Sequence, residues 1–268
     1  MIAAVSGSFD DLRAPGMRFL EAAARLGELH VYLWSDALAA RVRGQAPKFP
    51  EAERKYFLEA VRYVARVTIV EALPGEDGLL EGERPDVVAA LAEDRGVREF
   101  CERRMLRCEV IEAERMAGFP PAPEMDRTRV PGRKKVLVTG CYDWLHSGHV
   151  RFFEEAAEYG QLYVIVGNDA NVRNLKGEGH PLFPEDLRRY MAGSIRFVHQ
   201  SLVTSGWGWM DAEPEIQKLK PDIYLVNEDG DKPEKRAFCA EYGLEYVVLK
   251  REPAPGLKKR SSTDLRGF

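Results

Sequence analysis

The chain carries a second version of itself. With Val5 set against Val138 and both read forward, Gly7 meets Gly140, Asp10 meets Asp143, Leu12 meets Leu145 and Arg18-Phe19 meets Arg151-Phe152. Ala23-Ala24 then meets Ala156-Ala157, Gly27 meets Gly160, and Asp36 meets Asp169. After one inserted residue, Pro50-Glu51 meets Pro184-Glu185, Arg54 meets Arg188 and Tyr56 meets Tyr190. Further on, Pro85-Asp86 meets Pro221-Asp222, and Arg98-x-Phe100-Cys101 meets Arg236-x-Phe238-Cys239. Matches that keep one order through both halves imply duplication. The two halves are thus expected to share a scaffold, and each serves as a control for the other.

That scaffold alternates strands and helices. In the first half, Ile2 to Val5, Leu29 to Trp34, Val67 to Val70, Pro85 to Ala90 and Cys108 to Ile111 read as strands. Helices are expected from about Met17 to Leu26, Glu51 to Val64 and Val97 to Arg107. In the second half the strands are Val136 to Thr139, Leu162 to Val166, Asp222 to Val226 and Glu245 to Leu249, with helices over 150–159, 185–193 and Pro233 to Tyr242. Alternation of this kind predicts parallel sheets with helices on both faces. Pro120, Pro121, Pro123, Pro131 and Gly132 interrupt the rhythm, so 119–134 reads as an exposed linker between a first domain, 1–118, and a second, 135–268.

The chemistry concentrates at 136–149, Val-Leu-Val-Thr-Gly-Cys-Tyr-Asp-Trp-Leu-His-Ser-Gly-His. A buried strand ends at Gly140, a short loop follows, and a helix opens near Ser147. His146 and His149 then fall on one side of its first turn. Unpaired backbone N–H groups and the positive end of the helix dipole make that turn suited to an anion. Gly148 lets a phosphate approach the backbone. The first half has Arg13-Ala-Pro-Gly16 at this place, with neither imidazole. It reads as a degenerate copy with a structural or substrate-shaping role; the competing reading leaves Arg13 and Arg18 as anion ligands.

Composition narrows the partners. The formal net charge is −4 and no long basic run occurs before the C-terminus, which argues against nucleic acid. No apolar stretch is long enough to span a bilayer, and Met1-Ile-Ala-Ala-Val lacks the features of a signal peptide, so the cytoplasm is expected. Cys101, Cys108, Cys141 and Cys239 show no Cys-x-x-Cys spacing and are expected to be reduced thiols.

Four features together resemble the cytidylyltransferase-like nucleotidyltransferases: Gly-x-Tyr-Asp-x-x-His-x-Gly-His from Gly140, Val-Gly-Asn-Asp ending at Asp169, Leu175-Lys176-Gly177, and Arg260-Ser-Ser-Thr263. The resemblance covers essentially all of 135–268. The tandem arrangement is similar to that of the ethanolamine-phosphate cytidylyltransferases. It implies two tandem Rossmann-like α/β domains, which could pack as an intramolecular pseudo-dimer, with further homodimerisation left open. It also implies attack by a phosphorylated alcohol or sugar on the α-phosphorus of a nucleoside triphosphate, with pyrophosphate leaving.

By that resemblance, His146 and His149 would donate to the α- and β-phosphates, and Lys176 would bridge nucleotide and acceptor. Arg260, Ser261, Ser262 and Thr263 would cap the last helix and bind the β- and γ-phosphates. Gly140, Cys141, Tyr142, Asp143, Gly148, Asn168, Asp169, Asn227 and Asp229 complete the expected nucleotide site. Mg2+ would arrive on the triphosphate, with no direct protein ligand expected. Asp143 either orients an imidazole or caps the loop, and Asn227 to Asp229 either meets the nucleotide or forms a plain strand-end turn. Trp207 and Trp209 either line the acceptor pocket or pack against the first domain, and Arg188 is either structural or phosphate-binding. The family's usual Arg-x-x-Gly before the Ser/Thr pair is replaced by Leu257-Lys-Lys-Arg260. CMP transfer from CTP is the leading expectation, AMP transfer from ATP the alternative, and nucleotide-dependent regulation without turnover the third.

Overall fold

The computed structural model describes residues 1–73 and 84–265 and divides into two compact units, Met1–Gly118 and Phe119–Phe268. In the first unit the described elements are β1 (Ile2–Gly7), α1 (Ala14–Ala24), β2 (Glu28–Trp34), α2 (Asp36–Arg43) and α3 (Glu51–Glu59). They continue with β3 (Val64–Val70), β4 (Val87–Leu91), α4 (Arg95–Arg104), β5 (Cys108–Ile111) and α5 (Ala113–Met116). All the strand pairings are parallel, in the order β3-β2-β1-β4-β5.

The second unit follows the same plan. Its elements are β6 (Lys134–Gly140), α6 (Ser147–Glu158), β7 (Gly160–Val166), α7 (Asp169–Lys176), α8 (Glu185–Gly193) and β8 (Val198–Val203). Then come α9 (Glu213–Leu219), β9 (Ile223–Asn227), α10 (Pro233–Glu241), β10 (Glu245–Leu249) and α11 (Ser262–Leu265). The parallel order is β10-β9-β6-β7-β8, which is the first unit's order read from the other edge. Both sheets are therefore Rossmann-like, as expected. In each, strand order reverses beside the first strand, and the carboxyl ends of β6 and β9 flank the crevice where open α/β sheets take ligands. β6 and β7 read as continuous apolar runs because helices cover both their faces: Val136, Leu137, Val138, Val164, Ile165 and Val166 are fully buried.

Several element bounds differ from expectation. Helix α1 starts at Ala14 rather than Met17, because Pro15 is tolerated in a first helical turn. Helix α3 stops at Glu59; the β-branched Val64 opens β3 instead of closing the helix. Helices α2 and α7 and strand β8 have weak patterns of their own, and Lys176 is the last residue of α7. The segment 119–134 is largely exposed, yet its backbone is tied to the second unit. Asp126 N–H donates to Gln200, Gln200 donates to the Glu124 carbonyl at 2.7 Å, Tyr163 Oη to the Asp126 carbonyl at 2.9 Å and Arg189 to the Pro120 carbonyl at 2.6 Å.

The duplication is visible at atomic level. Arg188, 1 % exposed, donates Nε to the Phe183 carbonyl, Nη1 to the Cys141 carbonyl, and Nη2 to the Gly167 carbonyl and Asp169. Arg54 does the same in the first unit, to the carbonyls of Phe49, Ser8 and Trp34 and to Asp36. One guanidinium thus pins the loop after the first strand, the end of the second strand and the following helix start, satisfying carbonyls that no ladder reaches.

Candidate active site

At the carboxyl ends of β6 and β9 lies a cleft of about 240 Å³. Its walls come from Thr139 to Asp143, from His146, Gly148, His149 and Phe152 on or beside α6, and from Lys176 and His180. Val226, Asn227, Asp229, Gly230, Lys235, Arg251, Ser262 and Thr263 close it.

Strand β6 delivers the chain to a tight loop. Tyr142 takes a left-handed φ of 50°, which folds its ring back over Gly140, where a Cβ would meet Tyr142 Cζ at 2.7 Å. Phe9, with φ 43°, covers Gly7 in the same way in the first unit. The Tyr142 ring stands edge-on to His149 and Phe153, with centroids 5.3 and 5.1 Å apart. Burial pushes its phenol pKa up. Asp143 is 6 % exposed, and its Oδ1 accepts the N–H groups of Leu182 and Phe183 at 2.7 and 2.9 Å. Asp10 receives Lys48 and Phe49 N–H likewise. Asp143 thus clamps the 182–183 backbone onto its loop, as Asp10 clamps 48–49 in the first unit.

His146 is the N-cap of α6. Its Nδ1 accepts the Gly148 N–H at 3.1 Å, so the neutral ring carries its proton on Nε2. The His146 and His149 rings stack, with centroids 3.9 Å apart and planes 27° from parallel. A Cβ on Gly148 would lie 3.0 Å from His146 Cε1, so glycine here makes room for the imidazole as well as for a ligand. Burial lowers the His149 pKa to about 3, and the charges of Arg251 and Lys176 act in the same direction, against a hydrogen bond with the Trp144 backbone. At neutral pH His149 is an uncharged imidazole. Burial also raises the Cys141 thiol, opposed by Lys176 and Arg188.

The C-terminal segment reaches the same place. Ser262 Oγ donates to the Trp144 carbonyl at 3.2 Å, and Arg251 Nη2 donates to the Arg260 carbonyl at 3.2 Å. Arg251 Nη1 also holds Asp229 at 2.7 Å. The cleft thus gathers Gly140, Cys141, Tyr142, Asp143, His146, Gly148, His149, Lys176, Asn227, Asp229, Ser262 and Thr263 from the residues singled out in the sequence.

Others stand elsewhere. Asn168 caps α7, accepting Asn171 N–H and donating to Thr204 and the Gly206 carbonyl; Asp169 receives Arg188. Arg188 spends its donors on protein acceptors rather than facing the cleft. Arg260 and Ser261 contribute backbone carbonyls, to Arg251 and to Leu265 N–H. Trp207 and Trp209 are 63 % and 52 % exposed and lie outside the cleft lining; Trp209 meets Phe238 edge-on at 6.4 Å. The residues missed are Thr139, Phe152, His180, Val226, Gly230, Lys235 and Arg251. Lys235 had a readable signal, since the repeat sets it against Val97; His180 had none.

The first unit handles these positions differently. Where Trp144, His146 and Leu182 stand, it has Asp11, Arg13 and Lys48, and Asp11 pairs with both cations. The counterpart of Lys176 is Arg43, which pairs with Asp10 at 2.9 Å.

The sequence model of the cytidylyltransferase-like family matches residues 137–268. An FAD synthase of Aciduliprofundum boonei is 32 % identical over 136 residues, 50 % of this chain and 84 % of that protein. The chain belongs to the cytidylyltransferase-like family. It is a nucleotidyltransferase, and its family signature lies in the unit that carries the stacked imidazoles. An FAD synthase of Ferroglobus placidus is 34 % identical over 119 residues, 75 % of its length. The bifunctional protein HldE of Vibrio atlanticus is 36 % identical over 133 residues, and the match spans only 26 % of that longer protein. A lipopolysaccharide core biosynthesis protein from Thermoplasma volcanium aligns over 45 % of this cytidylyltransferase-like chain and 99 % of its own, with TM-score 0.40 and 25 % identity. Among the described residues no helix is long and apolar enough to cross a membrane.

Proposed function

We propose that residues 135–268 transfer AMP from ATP to the phosphate of a phosphorylated small molecule, and that residues 1–118 are a non-catalytic copy. One observation carries the reading: two stacked imidazoles at the start of α6, beside the switch point of the sheet. ATP replaces CTP as the leading donor because two relatives are FAD synthases, a name that denotes formation of an adenylyl–phosphate anhydride.

An oxygen of the acceptor phosphate attacks the α-phosphorus. The bond from that phosphorus to the bridging oxygen breaks, and pyrophosphate leaves with the electron pair. Such a step asks the protein for alignment and charge stabilisation rather than covalent help. His146, protonated at Nε2, donates to a phosphate oxygen as charge builds there, and His149, neutral in the ligand-free protein with its N–H on the Trp144 backbone, becomes a second donor once the triphosphate's charge favours its protonation. The first turn of α6 and the hydroxyls of Ser262 and Thr263 receive the β- and γ-phosphates. Lys176, at the end of α7, bridges donor and acceptor. Asn227 and Asp229 border the base.

The donor set suits Mg2+ brought in on the nucleotide. Asp143 and Asp229 are the carboxylates lining the cleft, and both hold protein partners, so phosphate oxygens and water would be the ion's ligands. The ion supplies charge neutralisation on the triphosphate.

Pyrophosphate release tests this, with ATP, CTP, GTP and UTP each offered FMN, glycerol 3-phosphate and sugar phosphates. Turnover is expected with ATP. Turnover with CTP alone reverses the donor assignment, and no release with any pair contradicts nucleotidyl transfer.

A further inference from the structure

Subtracting one unit from the other leaves a difference on the wall built by β9 and α10. In the first unit Ala4, Val88, Phe100 and Cys101 form an apolar cluster, and Val97 packs on it. The second unit keeps this cluster as Leu137, Tyr224, Phe238 and Cys239. The position of Val97, however, is Lys235.

Lys235 lines the cleft, partly buried, with Nζ 5.8 Å from the centre of the Tyr224 ring. Among the described residues no carboxylate lies within ion-pair distance of it. The nearby acids are taken: Asp229 holds Arg251, and Asp211 accepts from Asn171 and Thr204. Burial pushes the Lys235 pKa down and Lys232 adds to the effect, against the opposing influence of Cys239, Asp229 and Asp211. A half-desolvated ammonium with no carboxylate in direct contact is costly, and an arriving anion offsets that cost.

We propose that Lys235 binds the phosphate of the acceptor. The inference rests on the nucleotidyl-transfer reading above. That reaction brings a phosphomonoester against a triphosphate, two anions that repel. The triphosphate has its own donors around α6 and the C-terminal hydroxyls. Lys235 stands on α10, which contributes none of those phosphate donors, and is positioned to hold the second anion. A phosphomonoester loses its second proton near pH ~6. An ammonium beside it favours the dianion, whose oxygen attacks without a general base.

The test is titration of inorganic phosphate into the whole chain saturated with Mg2+ and a non-hydrolysable ATP analogue. Lys235→Val restores the residue of the sister unit, Lys235→Arg keeps the charge, and thermal melting checks that both fold. The Val variant is expected to lose phosphate affinity by about tenfold or more and the Arg variant by less than about threefold, because charged hydrogen bonds to phosphate are the stronger kind. Analogue affinity should stay within about twofold in both, since that ligand is placed on other donors. Wild-type protein that takes the analogue but no phosphate overturns the proposal and leaves nucleotidyl transfer standing. Unchanged phosphate affinity in the Val variant overturns it too, as does a loss confined to the analogue. Failure of the analogue to bind wild-type protein is read before phosphate is added and removes both inferences.

Discussion

The imidazoles of His146 and His149 lie face to face, with ring centroids 3.9 Å apart, and the first is locked by the Gly148 N–H on its Nδ1. The lock fixes the tautomer, and the stack fixes where both donors can reach. Replacing either histidine with Ala should lower kcat by about 10²- to 10³-fold, the usual cost of removing a preorganised donor to a developing oxyanion. Circular dichroism should be unchanged, and single-turnover kinetics would separate chemistry from binding.

Gly148→Ala tests the lock itself. The new Cβ would stand 3.0 Å from His146 Cε1 and 3.1 Å from Nδ1, so the ring must shift by a few tenths of an ångström. We expect kcat/KM to fall by roughly tenfold to a hundredfold, as small misplacements of reacting groups do. The melting temperature should move little, since the displaced ring borders a cleft rather than a packed core.

The low pKa of His149, about 3, has a sign that can be checked. An unfolded histidine protonates near pH ~6.5 while the folded one stays neutral. Between those values the unfolded state binds more protons, so stability rises with pH and is lost on acidification from about 6.5 towards 3. His149→Asn should flatten that acid slope in melting temperature against pH. In the ligand-free wild type, the imidazole proton shifts of His149 should show no titration between pH 5 and 8.

Much of the fold was legible because buried parallel strands write themselves as apolar β-branched runs, and because each half could be checked against the other. What stayed hidden has a physical reason. Helix α7 is eight residues long and its start is capped by Asn168, whose amide also reaches Thr204 and Gly206 far along the chain. The Ser201–Glu213 stretch takes its conformation from such long-range bonds, including Asn171 with both Gly208 and Asp211. The family resemblance makes Asn168 and Asp169 nucleotide groups; in the fold the Asn168 amide bonds Thr204 and Gly206, and Asp169 receives Arg188. Arg251 escaped notice because nothing local marks it; only the fold brings it to Asp229 and Arg260.

Arg188→Ala should destabilise the second unit by roughly 3–5 kcal/mol, because buried carbonyls at Cys141, Gly167 and Phe183 would lose their donor. Lysine should rescue little, since a single ammonium cannot reach three separate carbonyls and Asp169 at once. Chemical denaturation followed by Trp144 fluorescence would read the loss. Stability equal to wild type in Arg188→Ala would contradict the role given to this side chain.

The central claim is that one unit of a duplicated chain handles a nucleoside triphosphate, and calorimetric titration with Mg2+ and a non-hydrolysable ATP analogue tests it most directly. The account predicts one nucleotide per chain, with binding abolished when His146 and His149 are both replaced by Ala and retained in Arg13→Ala. Two nucleotides per chain would contradict it. So would binding that survives loss of both imidazoles and disappears with Arg13.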